Sequence, residues 1–246
     1  MREEYATLAR QFGATIYESY RPSGGISVVP QSAGGAIPSQ GGVEGFYYPP
    51  GLFARSDDPL QFTSRLLWTN DQRSLAIDQS SLQAAVGVRY KPFQSANFFV
   101  GAERLLKIGD ASQNDWLLRA SVGLGRQISP QYGNWHWNYS QLYLDAGYFT
   151  RSSTTAVYAE LRQGITLRAT GNFLITPHVV LVDRRQTPDP QRSSVLEGGP
   201  GVSFKYFLNS AGYKPNWSTV DLVAQYRERI ASDGRSSWVL AMVFQW

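Results

Sequence analysis

The chain has 246 residues and no cysteine, so it is long enough to bury a core as one domain and must do so without disulfides or thiolate chemistry. Its net charge of +4 is small, with 23 basic residues scattered among 19 acidic ones, which argues against a nucleic-acid partner. Charged residues make up 17% of the sequence, below the roughly 25% of soluble domains, whereas Gly (23), Tyr (14) and Trp (7) are plentiful.

The first twenty residues, MREEYATLARQFGATIYESY, carry four charges in the first ten and no apolar run, so they do not read as a secretory signal. Residues 22–43, PSGGISVVPQSAGGAIPSQGGV, are uncharged and long enough for a membrane helix, but six Gly, three Pro and four Ser forbid one. The expected organisation is therefore an N-terminal strand with a Gly/Pro/Ser-rich loop or plug-like segment over 1–43, followed by a β domain over 44–246.

From residue 44 the pattern is period-two alternation. LQFTSRLLW (60–68) opens it, and SLQAAVGVRY (81–90) sets Leu82, Ala84, Val86, Val88 and Tyr90 against Gln83, Gly87 and Arg89. NFFVGAERLLKI (97–108) follows, then DWLLRASVGLGRQI (115–128), with Trp116, Leu118, Ala120, Val122 and Leu124 opposite Arg119, Ser121, Gly123 and Gly125. The same sorting places Leu142, Leu144, Ala146 and Tyr148 against Tyr143 and Asp145, and Val157, Ala159, Leu161 and Ile165 against Tyr158, Glu160 and Arg162. NFLITPHVVLV alternates more weakly. SVLEGGPGVSFKYFL (194–208) puts Glu197, Gly199, Gly201, Ser203 and Lys205 opposite Pro200, Val202, Phe204 and Tyr206. STVDLVAQYRER then opposes Val220, Leu222 and Ala224 to Asp221, Gln225 and Arg227, and the chain ends in SSWVLAMVFQW. Turn clusters such as GDASQND, RSST, ATGN and ASDGRSS punctuate these runs. Nine strands from residue 81 onward and three before it predict about twelve antiparallel strands. Whether one chain closes the sheet, or supplies the C-terminal part of a larger barrel, stays open at this level.

Alternation suits both a sandwich and a membrane barrel, so other features must decide. Strands of ten to fifteen residues match a tilted bilayer crossing, which needs about nine to eleven. Glycines sit in mid-strand on the polar face, where a sandwich would only be weakened by them. Tyr90, Trp116, Tyr148, Tyr206, Trp217, Trp238 and Trp246 gather near strand ends, as interfacial girdles do, and the terminal strand alternates Trp238, Leu240, Met242, Phe244 and Trp246. The pattern predicts an all-β, antiparallel transmembrane β-barrel. A soluble carbohydrate-binding β-sandwich is the competing reading, and it leaves the terminal aromatic strand unexplained.

The segments LQAAVGVRYKPF, GAERLLKIG, NDWLLRASVG, HWNYSQLYLDAGYF, YAELRQGITL, LITPHVVL and LEGGPGVSFKYFLN resemble, in order, the C-terminal outer-membrane domain of the bacteriophage N4 adsorption protein A family. The resemblance runs over most of residues 45–246. It implies a barrel in the bacterial outer membrane, surrounded by lipid, that serves as a phage receptor contacted by a phage tail protein. It also implies export of a surface polysaccharide delivered by an inner-membrane glycan-synthesis partner. Full-length members are similar to exopolysaccharide exporters in carrying periplasmic helical repeats, and no such period is found here.

On the polar faces the charged or aromatic lumen candidates are Arg89, Glu103, Arg119, Tyr143, Asp145, Tyr158, Glu160, Arg162, Glu197, Lys205, Asp221 and Arg227. They either line a substrate path or pair with one another and fill a closed barrel. Counting turns back from Trp246, with the last strand ending at the periplasm, puts the loop RRQTPDPQRSS outside the cell, and makes Arg184, Arg185, Asp189 and Arg192 the phage-contact candidates. An outer-membrane lipid hydrolase is the enzymatic alternative. It would need His136 with Ser140, or His178, which reads instead as a packed or lumen residue. No acid or histidine cluster has metal-ligand spacing, no phosphate loop precedes a helix, and no cofactor is expected.

Overall fold

The computed structural model describes residues 11–20, 40–49, 59–70, 76–93, 96–126, 134–187, 194–208, 218–231 and 236–246. These form twelve strands: β1 (Phe12–Tyr20), β2 (Gln40–Tyr47), β3 (Leu60–Asn70), β4 (Ile77–Tyr90), β5 (Phe98–Lys107), β6 (Asp115–Arg126), β7 (His136–Phe149), β8 (Thr154–Arg168), β9 (Phe173–Gln186), β10 (Val195–Phe207), β11 (Thr219–Ala231) and β12 (Ser237–Gln245). Each strand pairs antiparallel with its sequence neighbours, and β1 pairs with β12 to close the sheet within one chain. The nine strands from β4 onward fall where the alternation predicts them, and three precede them.

The barrel begins earlier than the sequence suggests. Residues 12–20 and 40–43, placed before the barrel by composition, belong to β1 and β2, and the Gly-rich start of β2 pairs through its backbone with both neighbours. Too few side chains alternate there for the pattern to show. The proposed plug-like stretch between these two strands, and Trp217, lie outside the described residues.

The surface is the inverse of a soluble protein's. Val86, Leu118, Leu222 and Leu240 are about half exposed on the outside, whereas Glu103, Glu197 and Gln225 are 1% exposed or less on the inside. A sandwich would bury the aliphatic faces against each other; here they ring the outside of a single closed sheet, which is stable only against hydrocarbon. The described girdle residues Tyr90, Trp116, Tyr148, Tyr206, Trp238 and Trp246 all face outward. The Arg104 guanidinium lies 5.5 Å over the Trp116 ring, an arrangement that lets a long cationic chain reach the rim of an apolar belt.

The interior is layered along the barrel axis. Ala85, Leu105, Leu117, Phe149 and Ala156 form an inward-facing apolar cluster near turns 108–114 and 150–153. Trp137, Leu174 and Phe207 form another at the opposite end, near turn 169–172. The weak alternation of β9 has its cause here: its inner face carries Leu174, Val180 and Val182, all buried, so both faces are apolar over much of its length.

Asp115 ties the first of these ends together. Its carboxylate accepts the backbone N–H groups of Trp116 and Arg151 at 2.7 Å each, and the Thr150 hydroxyl at 3.2 Å. The β7–β8 turn it holds includes Ser153 at φ 49°, the left-handed position that closes so short a connection.

Candidate functional site

The polar layer between the apolar clusters holds the chemistry. Because side chains alternate across the sheet, residues of one parity on each strand converge on the axis, and all twelve lumen candidates are among them. They form ion-pair groups that span strands distant in sequence.

In the first group Glu103 is bridged by Arg65 and by Arg89 at 3.2 Å, and Arg89 reaches on to Glu44 at 2.6 Å. Next to it, the Arg119 guanidinium grips Asp145 through Nε at 2.8 Å and a terminal nitrogen at 2.7 Å, and donates to the Tyr143 hydroxyl at 3.1 Å. A bidentate fork of this kind fixes both partners in one plane.

The second region centres on Glu160, which Arg162 meets at 2.5 Å and Arg227 at 3.4 Å, while the Tyr158 hydroxyl donates to it. Arg227 also donates to the Gln225 carbonyl at 2.9 Å, which turns the Gln225 amide N–H toward His178 Nε2 at 3.0 Å. His178 Nε2 is therefore the acceptor, and Nδ1–H donates to the Thr176 carbonyl at 2.9 Å. Toward one end Glu197 lies between Arg184 at 3.6 Å and Arg229 at 3.7 Å. Toward the other, Lys205 stands 3.4 Å from Asp221, which also accepts from the Ser203 hydroxyl.

Mid-strand glycines make this packing feasible. At Gly87, Gly101, Gly164, Gly199 and Gly201 neighbouring backbone or side-chain atoms stand less than 3.0 Å from where a Cβ would be, so these positions leave no open space. At Gly201 a methyl group would stand 2.8 Å from His178 Nε2 and 2.7 Å from Gln225 Cγ.

Sequence reasoning missed Glu44, Arg65, Arg229 and Gln225 as members of these groups, whereas His178 lies inside as the packed or lumen residue it was read to be. Arg229 and Gln225 share parity with Asp221 and Arg227, so the signal for them was present. Glu44 was masked by its Gly-rich strand. Arg184, expected on the surface loop, belongs to β9 and turns inward, 5.9 Å over the Tyr158 ring. Arg185 does face outward, 64% exposed and 3.0 Å from Asp183, while Asp189 and Arg192 lie outside the described residues.

The hydrolase constellation does not assemble. His136 and Ser140 lie on the same outward row of β7, four residues apart, which in a strand is about 13 Å against the roughly 3 Å a nucleophile–base pair requires. The His136 ring instead lies 4.2 Å from that of Trp135. Among the described residues no group of three acids or histidines comes together to hold a metal ion.

A family model described as bacteriophage N adsorption protein A, C-terminal, matches residues 74–242. The chain belongs to this family. It is a closed twelve-stranded antiparallel barrel of the bacterial outer membrane. Similar solved structures include a bacterial polysaccharide outer membrane secretin, at 10% identity and TM-score 0.43, covering 97% of this chain and 98% of that one. A COG4313 outer membrane channel from Pseudomonas putida F1 is similar at 10% identity and TM-score 0.45, covering 96% and 94%. The transport unit of the autotransporter AIDA-I from Escherichia coli is similar at 12% identity and TM-score 0.37, covering 99% and 97%. No curated protein matches the chain.

Proposed function

We propose that this barrel is a phage adsorption receptor of the outer membrane and that its lumen passes a surface polysaccharide. The observation that carries the receptor reading is the inverted surface. With the outer wall committed to lipid, the water-facing surfaces are the two barrel ends, and a phage tail protein outside the cell can reach only the loops of one of them. The loop between β9 and β10 is the contact region, with Arg185, Asp189 and Arg192 as candidates. Its two prolines restrict it before binding and so lower the entropy lost when a partner engages.

The pore reading draws on the interior. Twelve strands lie between the eight whose interior side chains just fill and the sixteen or more of open porins. Arg119 and Arg162 keep 20% of their side-chain surface wet, and the Tyr143 and Tyr158 rings stand 6.1 Å apart, giving hydroxyl, guanidinium and aromatic surface suited to sugars. An inner-membrane glycan-synthesis partner would deliver the polymer.

The test replaces residues 187–192 with a Gly/Ser linker and measures adsorption of bacteriophage N4 to intact cells, with outer-membrane content checked by fractionation. Adsorption should fall while the barrel stays in the membrane. Full adsorption after replacement of every loop at that end would exclude the receptor role.

A further inference from the structure

In most of the interior ion pairs the carboxylate lies against the wall and the cation lies over it. Glu197 is 0% exposed beneath Arg229 at 21%, Glu103 is 1% exposed beneath Arg89 at 17%, and Asp145 is 7% exposed beneath Arg119 at 20%. Chain length is the cause. Short acids seat flush with the sheet, next to glycines in the case of Glu103, and the longer arginines must reach across them toward the axis.

The stoichiometry adds to this. In the interior pairs among the described residues, eight cations meet six carboxylates, and Glu103, Glu160 and Glu197 are each shared by two arginines. Lys205–Asp221, Arg89–Glu44 and Arg227–Glu160 run the other way, the acid being the more exposed at 18% against 14%, 19% against 17% and 11% against 6%. They are too few to reverse the sign of the wetted surface.

We infer that the lumen is selective for anions and that the polymer it passes is an acidic polysaccharide, bearing carboxylate, sulfate or phosphate groups. A narrow, low-dielectric wall focuses the field of such a lining, so an acidic chain is concentrated at the lumen while a neutral one gains nothing. Guanidinium groups already holding a wall carboxylate still offer N–H donors toward the axis, and they can trade partners along a moving chain without leaving a buried charge alone.

This inference rests on the pore reading, and one experiment separates the two. The full chain is inserted into planar bilayers, conductance and reversal potential are measured across a potassium chloride gradient, and dextran sulfate is compared with neutral dextran of equal length as a blocker. The expected result is a reversal potential on the chloride side, with dextran sulfate blocking at about tenfold lower concentration than dextran and the difference shrinking at high salt. The variant R119E/R162E, checked for closure by heat-modifiable gel migration, should move the reversal potential toward potassium. Conductance that is cation-selective or indifferent to charge overturns the inference and leaves the pore standing. An inserted barrel that passes no current overturns both.

Discussion

Gly87 on β4 and Glu103 on β5 face each other so closely that a methyl group at Gly87 would stand 2.6 Å from Glu103 Cγ and 2.8 Å from its Cα. The glycine is the seat in which a buried carboxylate meets two arginines. Gly87→Ala should therefore dislodge Glu103 and lower stability by about 1–3 kcal/mol, the usual cost of overpacking a tight interior. Gly171, in the β8–β9 turn with nothing within 4 Å of an added Cβ, is the control, and its alanine variant should lie within about 0.5 kcal/mol of the parent. Urea titrations followed by tryptophan fluorescence in lipid vesicles measure both, and equal effects would remove the close-approach argument.

Glu197 is fully buried between two guanidiniums. Glu197→Gln keeps the shape and removes the charge, so two cations lose a buried counter-ion and stability should drop by about 3–5 kcal/mol. Arg185→Ala, breaking an exposed pair with Asp183, should cost no more than about 1 kcal/mol. A Glu197 variant as stable as the Arg185 variant would show that the interior pairs do not hold the wall.

Leu144 points outward from the middle of β7. Leu144→Arg should weaken folding into vesicles by about 2–4 kcal/mol, the depth-dependent penalty of a charge on a lipid-facing site. Unchanged insertion would mean that this face does not meet hydrocarbon.

Loops 187–194 and 169–172 leave opposite ends of β9. A tag inserted at Pro190 should be labelled on intact cells, and one at Gly171 only after the outer membrane is permeabilised. Labelling of Gly171 on intact cells would reverse the orientation and remove the β9–β10 loop from the receptor surface.

The sequence made the wall of this protein readable and its interior pairing much less so. Alternation at 115–124 and 194–208 identifies strands and faces because a two-sided environment imposes period two on every residue between turns. It carries no information about which inward residue meets which. Glu160 and Arg227 are 67 residues apart, and only the closed register brings them together. Arg184 was misassigned because it adjoins a loop, and the strand's extra length inverts its role. The glycines were visible on the polar faces, but composition cannot distinguish a gap left for solvent from one filled by neighbouring atoms.

The closure of β1 against β12 has a consequence for how the chain reaches this state. Ile16 pairs with Phe244 and Tyr17 with Val243, so one edge of β1 has no partner until β12 has been made. Until then the growing sheet carries two open rims of amide and carbonyl groups beside an apolar face, the arrangement most prone to pairing with another chain. Any route this chain takes to its membrane must keep those rims from other chains and join them to each other, because either rim alone offers an aggregating template rather than half of a wall.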